Sequence, residues 1–236
     1  MNVAVPLWRW WRRALRIATG TAAVLFATLA YCWLTLPDVR RLRTETPRTT
    51  AFMELRRGEA GKAGRKPAFS HRYVRYGRIS PVLVRAVLAA EDAAFFSHDG
   101  VDYDELRISF ERNFELGEFS RGASTITQQL AKNLYLSPSR NPYRKISELM
   151  IARRLEAELS KTRILELYLN LIEWGDGIWG AEAAAQRYFG IPASDLSAEQ
   201  AALLAGAIIN PRVYSPANPN GRLLRRQQII LGRINR

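Results

Sequence analysis

Cysteine is nearly absent from this 236-residue chain: Cys32 is the only one. A lone cysteine excludes a disulfide framework and any cysteine-based metal site. Histidine is almost as scarce, with His71 and His98 alone, too far apart in sequence to spell a ligand motif. Acidic residues are few: 22 Asp and Glu stand against 35 Lys and Arg, a formal net charge of +13. Lysine supplies only 5 of those cations and arginine 30. No segment alternates apolar and polar residues well enough to read as a strand. Walker A, HExxH and GxSxG patterns are missing, which removes the sequence signatures of P-loop NTPases, zinc peptidases and α/β-hydrolases.

What is there begins with charge. An excess of this size calls for an anionic partner or surface: nucleic acid, anionic lipid or a phosphorylated substrate. Arginine's planar fork suits phosphate oxygens; the plainer source of arginine richness is genomic base composition.

Residues 1–16 interleave Trp8, Trp10 and Trp11 with Arg9, Arg12, Arg13 and Arg16, a mixture that suits a membrane interface. Residues 17–36, IATGTAAVLFATLAYCWLTL, carry no charge and match the ~20 residues a spanning helix needs. Pro37 is the expected stop. A cleaved signal peptide usually has a shorter apolar core, and a buried core helix usually keeps a polar face, so an uncleaved anchor is the expectation. Residues 37–70 read as a linker, with a short helix at TAFMELRR and a flexible loop at GEAGKAGRKP. From residue 71 to 236 the pattern is helical, and a mainly α domain is expected. Ser80 with Pro81 starts one helix, Asn141 with Pro142 a second and Ser160 a third. Ser197 and Gln200 form a capping box for a fourth. Tyr103, Leu106, Phe110, Phe114 and Phe119 look like core, with a membrane-dipping surface as the minority reading. Gly175, Gly177 and Gly180 spell GxGxxG, but a helical pattern precedes them where a dinucleotide fingerprint needs a strand. They read as a turn between helices.

Two stretches carry candidate chemistry. In EDAAFFSHDG, Glu91 and Asp92 sit at the C-terminal end of a helix, where the dipole disfavours carboxylates. Apolar neighbours from Ala93 to Phe96 would raise the Glu91 pKa towards values useful to a general base. Taken alone, a surface glutamate at a helix end is the plainer reading. In RGASTITQQLAKN, Gly122 permits a tight turn. Ser124 and Thr125 can cap the next helix, whose free N–H groups could hold an anion. Gln128, Gln129 and Lys132 would share one side of that helix, amides for sugar hydroxyls and an ammonium for phosphate. A solvated polar face is the commoner outcome for such a pattern. Arg140, Arg144 and Lys145 add cations, and Glu148 lies four and three residues from the last two. This is either a weak surface ion pair or a second active-site carboxylate held by cations.

These pieces resemble the peptidoglycan glycosyltransferases of the penicillin-binding-protein type (glycosyltransferase family 51). EDAAFFSHDG resembles that family's first motif, RGASTITQQLAKN the second, RKISE the third, KTRILELYLN the fourth and LLRRQQIIL the fifth. The five occur in order across residues 71–236. LNLIEWGDGIWGAEAAAQRYFG and the upstream TAFM look most like its monofunctional biosynthetic branch, and no SxxK or KTG of a fused transpeptidase is present. Ala123 departs from the family's second glycine. The resemblance implies a lysozyme-like α fold with one N-terminal transmembrane helix, anchored in the bacterial inner membrane with the catalytic domain periplasmic. It implies lipid II and a growing glycan strand as substrates, membrane lipid and cell-wall synthesis or division proteins as partners, and no nucleic acid. It makes Glu91 the catalytic base and Glu148 a second catalytic glutamate. Ser124, Thr125, Gln128, Gln129, Lys132, Arg140, Arg144 and Lys145 become substrate-binding. The sequence requires no cofactor; a divalent cation (Mg or Mn) at the diphosphate fits the family's chemistry. A glycan-cleaving enzyme on the same fold and a basic membrane-tethered scaffold are the alternatives.

Overall fold

A computed structural model describes residues 7–64, 69–116, 124–136 and 142–235. The chain divides into two compact units, residues 1–37 and 38–236.

The first unit is one helix, α1 (Leu7–Leu34). Its apolar stretch runs Trp10–Tyr31, 22 residues, about 33 Å at 1.5 Å per residue. That is long enough to cross a bilayer by length and composition. The helix therefore begins earlier than the 17–36 expectation, taking in the Trp/Arg flank, and ends three residues before Pro37. Its threonines are compatible with lipid. The hydroxyls of Thr19, Thr21, Thr28 and Thr35 each donate to a carbonyl one turn back, so none presents an unpaired donor to the hydrocarbon.

The second unit is built from helices. Thr50 caps α2 (Ala51–Lys62) by accepting from the Met53 N–H. This helix runs on through Gly58 and Gly61, so the first part of the expected GEAGKAGRKP loop is helical. Ion pairs from Arg56 to Glu59 and from Arg57 to Glu54 line its exposed side, and Met53 is fully buried below. Ser80 and Pro81 open α3 (Pro81–Glu91) as expected. It is followed by α4 (Tyr103–Leu116), α5 (Ile126–Tyr135), α6 (Pro142–Glu158) and α7 (Lys161–Leu171). Ser160 caps α7 and accepts from the Arg163 N–H. The Asn141 cap lies outside the described residues. After α8 (Ala181–Phe189), the Ser197–Gln200 capping box opens α9 (Ala198–Ala207) with both reciprocal bonds in place. Asn220 caps α10 (Gly221–Ile234). In α4, Tyr103 and Leu106 are exposed rather than core; the side chains of Phe110, Phe114 and Phe119 lie outside the described residues.

One correction concerns strands. A small sheet joins β1 (Ser70–His71), β2 (Glu173–Gly175) and β3 (Ile178–Trp179) in the order β1-β3-β2. β1 runs parallel and β2 antiparallel to β3. The GDGIWG glycines thus serve a β-hairpin, not a turn between helices. Strands of two or three residues are too short to print a period of two. Gly180 has φ +86°, and a Cβ there would fall 2.7 Å from the Asn170 carbonyl oxygen; both conditions demand glycine.

Packing divides the helices into two groups. α5 packs on α2, α6 and α7, while α3 packs on α9 and α10, which also pack on each other. Ile126, Leu130, Leu155 and Leu165 fill the first group, and Leu83, Val87, Leu204 and Leu223 the second. Glu91, at the end of α3, faces α5 across the seam between them.

Candidate active site

The seam is held by the residues just after Glu91. Asp92 leaves the helix with extended torsions, φ −164° and ψ 80°, which turns its carboxylate towards the start of α5. Its Oδ2 accepts from the Ile126 N–H at 2.9 Å. His98 Nε2 donates to its Oδ1 at 3.0 Å. The Gly100 N–H donates to His98 Nδ1 at 3.2 Å, so the ring proton sits on Nε2 and the neutral ring has no lone pair left. Thr125 accepts from the Gln128 N–H and donates to the Gly100 carbonyl at 2.8 Å. These bonds correct one expectation: the N-terminus of α5 is occupied by the protein's own Asp92, a carboxylate where the dipole favours one. Thr125 is the cap, and Ser124 is not. Asp92, His98 and Asp102 bring ligand atoms within 4.8 Å of one another. The hydrogen bonding already accounts for Asp92 and His98, and they are structural. Nothing in the spacing of the two histidines foretold this pair; the signal was local, Asp and His six residues apart.

Glu91 faces a cavity of about 570 Å³, within the roughly 300–1,000 Å³ of ligand pockets. Ser124, Gln129 and Lys132 line it from the α5 side, and Arg226 and Arg233 from α10, with Ile208 and Ile229 forming an apolar flank. A smaller cavity of about 200 Å³ lies on the other side of Glu91, beside Asp102 and Glu105. Burial pushes the Glu91 carboxyl above its ordinary range; the Gln129 hydrogen bond and the charges of Arg226 and Lys132 pull it back, and Asp92 pushes it up. The direction is the expected one, but helices packed across the seam produce it. Phe96, one of the neighbours invoked from sequence, is 59% exposed. Burial likewise pushes the Lys132 ammonium below its ordinary value, against the pull of Glu148 and Glu91.

The two glutamines diverge. Gln129 donates from Nε2 to Glu91 Oε2 at 2.9 Å and accepts at Oε1 from the Tyr168 hydroxyl at 2.9 Å. Gln128 is buried and donates to the Gly100 carbonyl, while its Oε1 accepts from Lys145 Nζ at 3.0 Å. Adjacent helical residues point about 100° apart, so Gln128 does not share the cavity with Gln129 and Lys132. Both amides are committed to protein partners rather than free for sugar hydroxyls.

Glu148 is buried, which excludes the surface-pair reading. Arg144 Nη1 and Lys145 Nζ each reach it at 2.6 Å, on separate oxygens. Lys145 also reaches Ser124 Oγ at 3.4 Å, tying α6 to the start of α5. The structure thus gathers Glu91, Ser124, Gln129 and Lys132 at the cavity, with Gln128, Arg144, Lys145 and Glu148 in an adjoining charged network. Arg140 lies outside the described residues. Arg226, Arg233 and Tyr168 were not singled out in the sequence. The cations were visible as LLRRQQIIL and the arginine after it, but only the fold brings α10 beside Glu91.

A family described as Transglycosylase matches residues 60–235. A biosynthetic peptidoglycan transglycosylase of Laribacter hongkongensis is 45% identical over 219 residues, 93% of this chain and 96% of its own length. Proteins of the same name from Nitrosomonas eutropha and Azoarcus sp. are 48% and 47% identical, covering 81% and 88% of this chain and 79% and 87% of their own. With the match spanning most of its length, this chain belongs to the transglycosylase family.

Proposed function

We propose that this protein is a peptidoglycan glycosyltransferase that polymerises lipid II into β-1,4-linked glycan strands with release of undecaprenyl diphosphate. One observation carries the reading: a half-buried glutamate with a raised pKa faces a cavity whose opposite side is cationic, in a chain of this family. A base and a diphosphate site are what glycosyl transfer from a lipid diphosphate needs.

In this reading Glu91 takes the proton from the GlcNAc 4-hydroxyl of the acceptor. The O4–C1 bond forms, the bond from C1 to the diphosphate oxygen breaks, and the electron pair leaves with undecaprenyl diphosphate. Attack opposite the leaving group inverts C1 from α to β. Gln129 holds Glu91 by donating a hydrogen bond, and Lys132, Arg226 and Arg233 meet the diphosphate charge. Arg144 and Lys145, with Glu148 between them, set the field on that side, and Ser124, Thr125 and Gln128 keep the start of α5 in place. Arg140 keeps the substrate-binding role that the family's motif implies for it. A divalent cation would be held by the diphosphate oxygens and would neutralise charge on the leaving group. Both Glu148 oxygens are already taken by Arg144 and Lys145, so Glu148 does not fit a metal ligand. α1 anchors the enzyme in the bacterial inner membrane with the catalytic unit on the periplasmic side, where it works with other cell-wall synthesis or division proteins.

The test gives the purified full-length protein labelled lipid II and, separately, finished peptidoglycan. Polymer from the first supports the reading. Cleavage of the second with no polymer from the first would assign a glycan-cleaving enzyme instead.

A further inference from the structure

Gln129 is the only neutral donor recorded on Glu91 among the described residues, and its amide has two chemically different ends. With Nε2 towards Glu91 it donates to the carboxylate and favours the base form. Turned over, it would set Oε1 against the carboxylate and favour the protonated acid, which cannot accept a proton. Which end faces Glu91 therefore decides whether the base is ready. Two contacts fix the orientation. The Tyr168 hydroxyl donates to Oε1 at 2.9 Å, and Nε2 also reaches the Ser124 carbonyl at 3.4 Å. The first is much the better bond.

Tyr168 comes from α7, 39 residues further along the chain, and is fully buried in the core. It is not among the residues that line the cavity in front of Glu91. Burial, reinforced by Glu91 and Asp92, pushes its phenol well above the ordinary value, so it keeps its proton and remains a donor throughout the working range. Among the described residues its hydroxyl makes one hydrogen bond, and that bond ends on the amide holding Glu91.

We propose that Tyr168 is a positioning residue: by donating to Gln129 Oε1 it fixes the amide with its NH2 end towards Glu91 and so holds the carboxylate as a hydrogen-bonded base. The inference rests on Glu91 being that base. The charged groups around Glu91 are Lys132 on α5, Arg226 and Arg233 on α10, Asp92 next to it in sequence, and Asp102 and Glu105 across the smaller cavity. None is altered by removing the phenol oxygen.

The experiment uses the full-length protein polymerising lipid II over a range of pH. Tyr168→Phe keeps the ring and deletes the donor. We expect kcat to fall several-fold with KM little changed, and the acid limb of kcat/KM to move upward by roughly half a pH unit, the scale of one altered hydrogen bond. A merely space-filling tyrosine would lower the thermal midpoint and leave the limb in place, which overturns the proposal. Gln129→Met should move the limb in the same direction. The double variant Tyr168→Phe with Gln129→Met removes donor and acceptor together and so leaves no orphaned buried oxygen. Its limb should coincide with that of Gln129→Met alone, because Tyr168 acts only through the amide. A further shift in the double variant also overturns the proposal, and this comparison stands even where Tyr168→Phe alone does not fold. Glu91→Gln separates the two readings. If it stays active, the base assignment fails; if it is inactive while the Tyr168→Phe limb stays put, only the positioning role fails.

Discussion

Glu91 and Glu148 are the same side chain in two opposite settings. Glu91 has a neutral amide as its hydrogen-bonding partner and two cations at a distance, and burial raises its pKa. Glu148 is buried more deeply, yet both its oxygens are saturated by charged donors. The first arrangement leaves a carboxylate able to gain a proton and lose it again. The second uses a carboxylate as a fixed counter-charge that keeps two cations beside a third, Lys132. Burial alone therefore does not decide what a carboxylate can do; its partner does.

The largest effect expected from that contrast is on Glu91. Glu91→Gln keeps the shape and the bond from Gln129 but cannot accept the proton. Lipid II polymerisation should fall by about 10²–10⁴-fold, the usual share of a positioned general base. A variant within tenfold of the parent would break the comparison at its first term.

Glu148→Gln should cost less and in another way. It leaves Arg144 and Lys145 without their shared counter-charge, so the cationic wall loosens. A loss of about 10- to 150-fold is expected, in line with the roughly 1.5–3 kcal/mol of a hydrogen bond to a charged group. With Glu91 as the proposed base, the residual activity should keep the parent's acid limb. A displaced limb would mean that Glu148 takes part in proton transfer, and the division between the two carboxylates would fall.

That division was only partly legible in the sequence. Helix starts were legible because caps are local: Ser80 with Pro81, Ser160, and Ser197 with Gln200 each name their own partner within three residues. The i,i+3 and i,i+4 pairs of Glu148 were legible for the same reason, and only their burial was not. The hairpin at GDGIWG escaped because its strands are too short to be periodic. The reach of α2 past Gly58 escaped because ion pairs along the helix and packing on α5 outweigh two glycines. The roles of the glutamines were the least legible. Gln128 and Gln129 are neighbours with the same chemistry, and what separates them is which residue stands opposite. Gly100 and Lys145 meet one, Glu91 and Tyr168 the other, at separations of 17 to 39 residues. No local pattern encodes that.

The smallest predicted effect is thermal, and its sign discriminates between the two glutamates. In the unfolded chain Glu91 titrates near its ordinary 4.5, and in the folded chain it titrates higher. Between those two values the folded state binds more protons than the unfolded one, so stability falls as pH rises through that window. Above it the deficit persists, because a charge is kept in a poorly solvated place. Glu91→Gln has no such charge. Its thermal midpoint should lie above the parent's at pH 7–8, and the gap should close as the pH approaches 4, where the parent's Glu91 is protonated in both states. Glu148→Gln should lower the midpoint at neutral pH, because two partly buried cations lose the group that compensates them. At roughly 2–4 °C for each kcal/mol in a chain of this length, both shifts are within reach of calorimetry. Two variants that both weaken catalysis would then move stability in opposite directions. A fall in both midpoints would mean that Glu91, like Glu148, is held mainly for the fold.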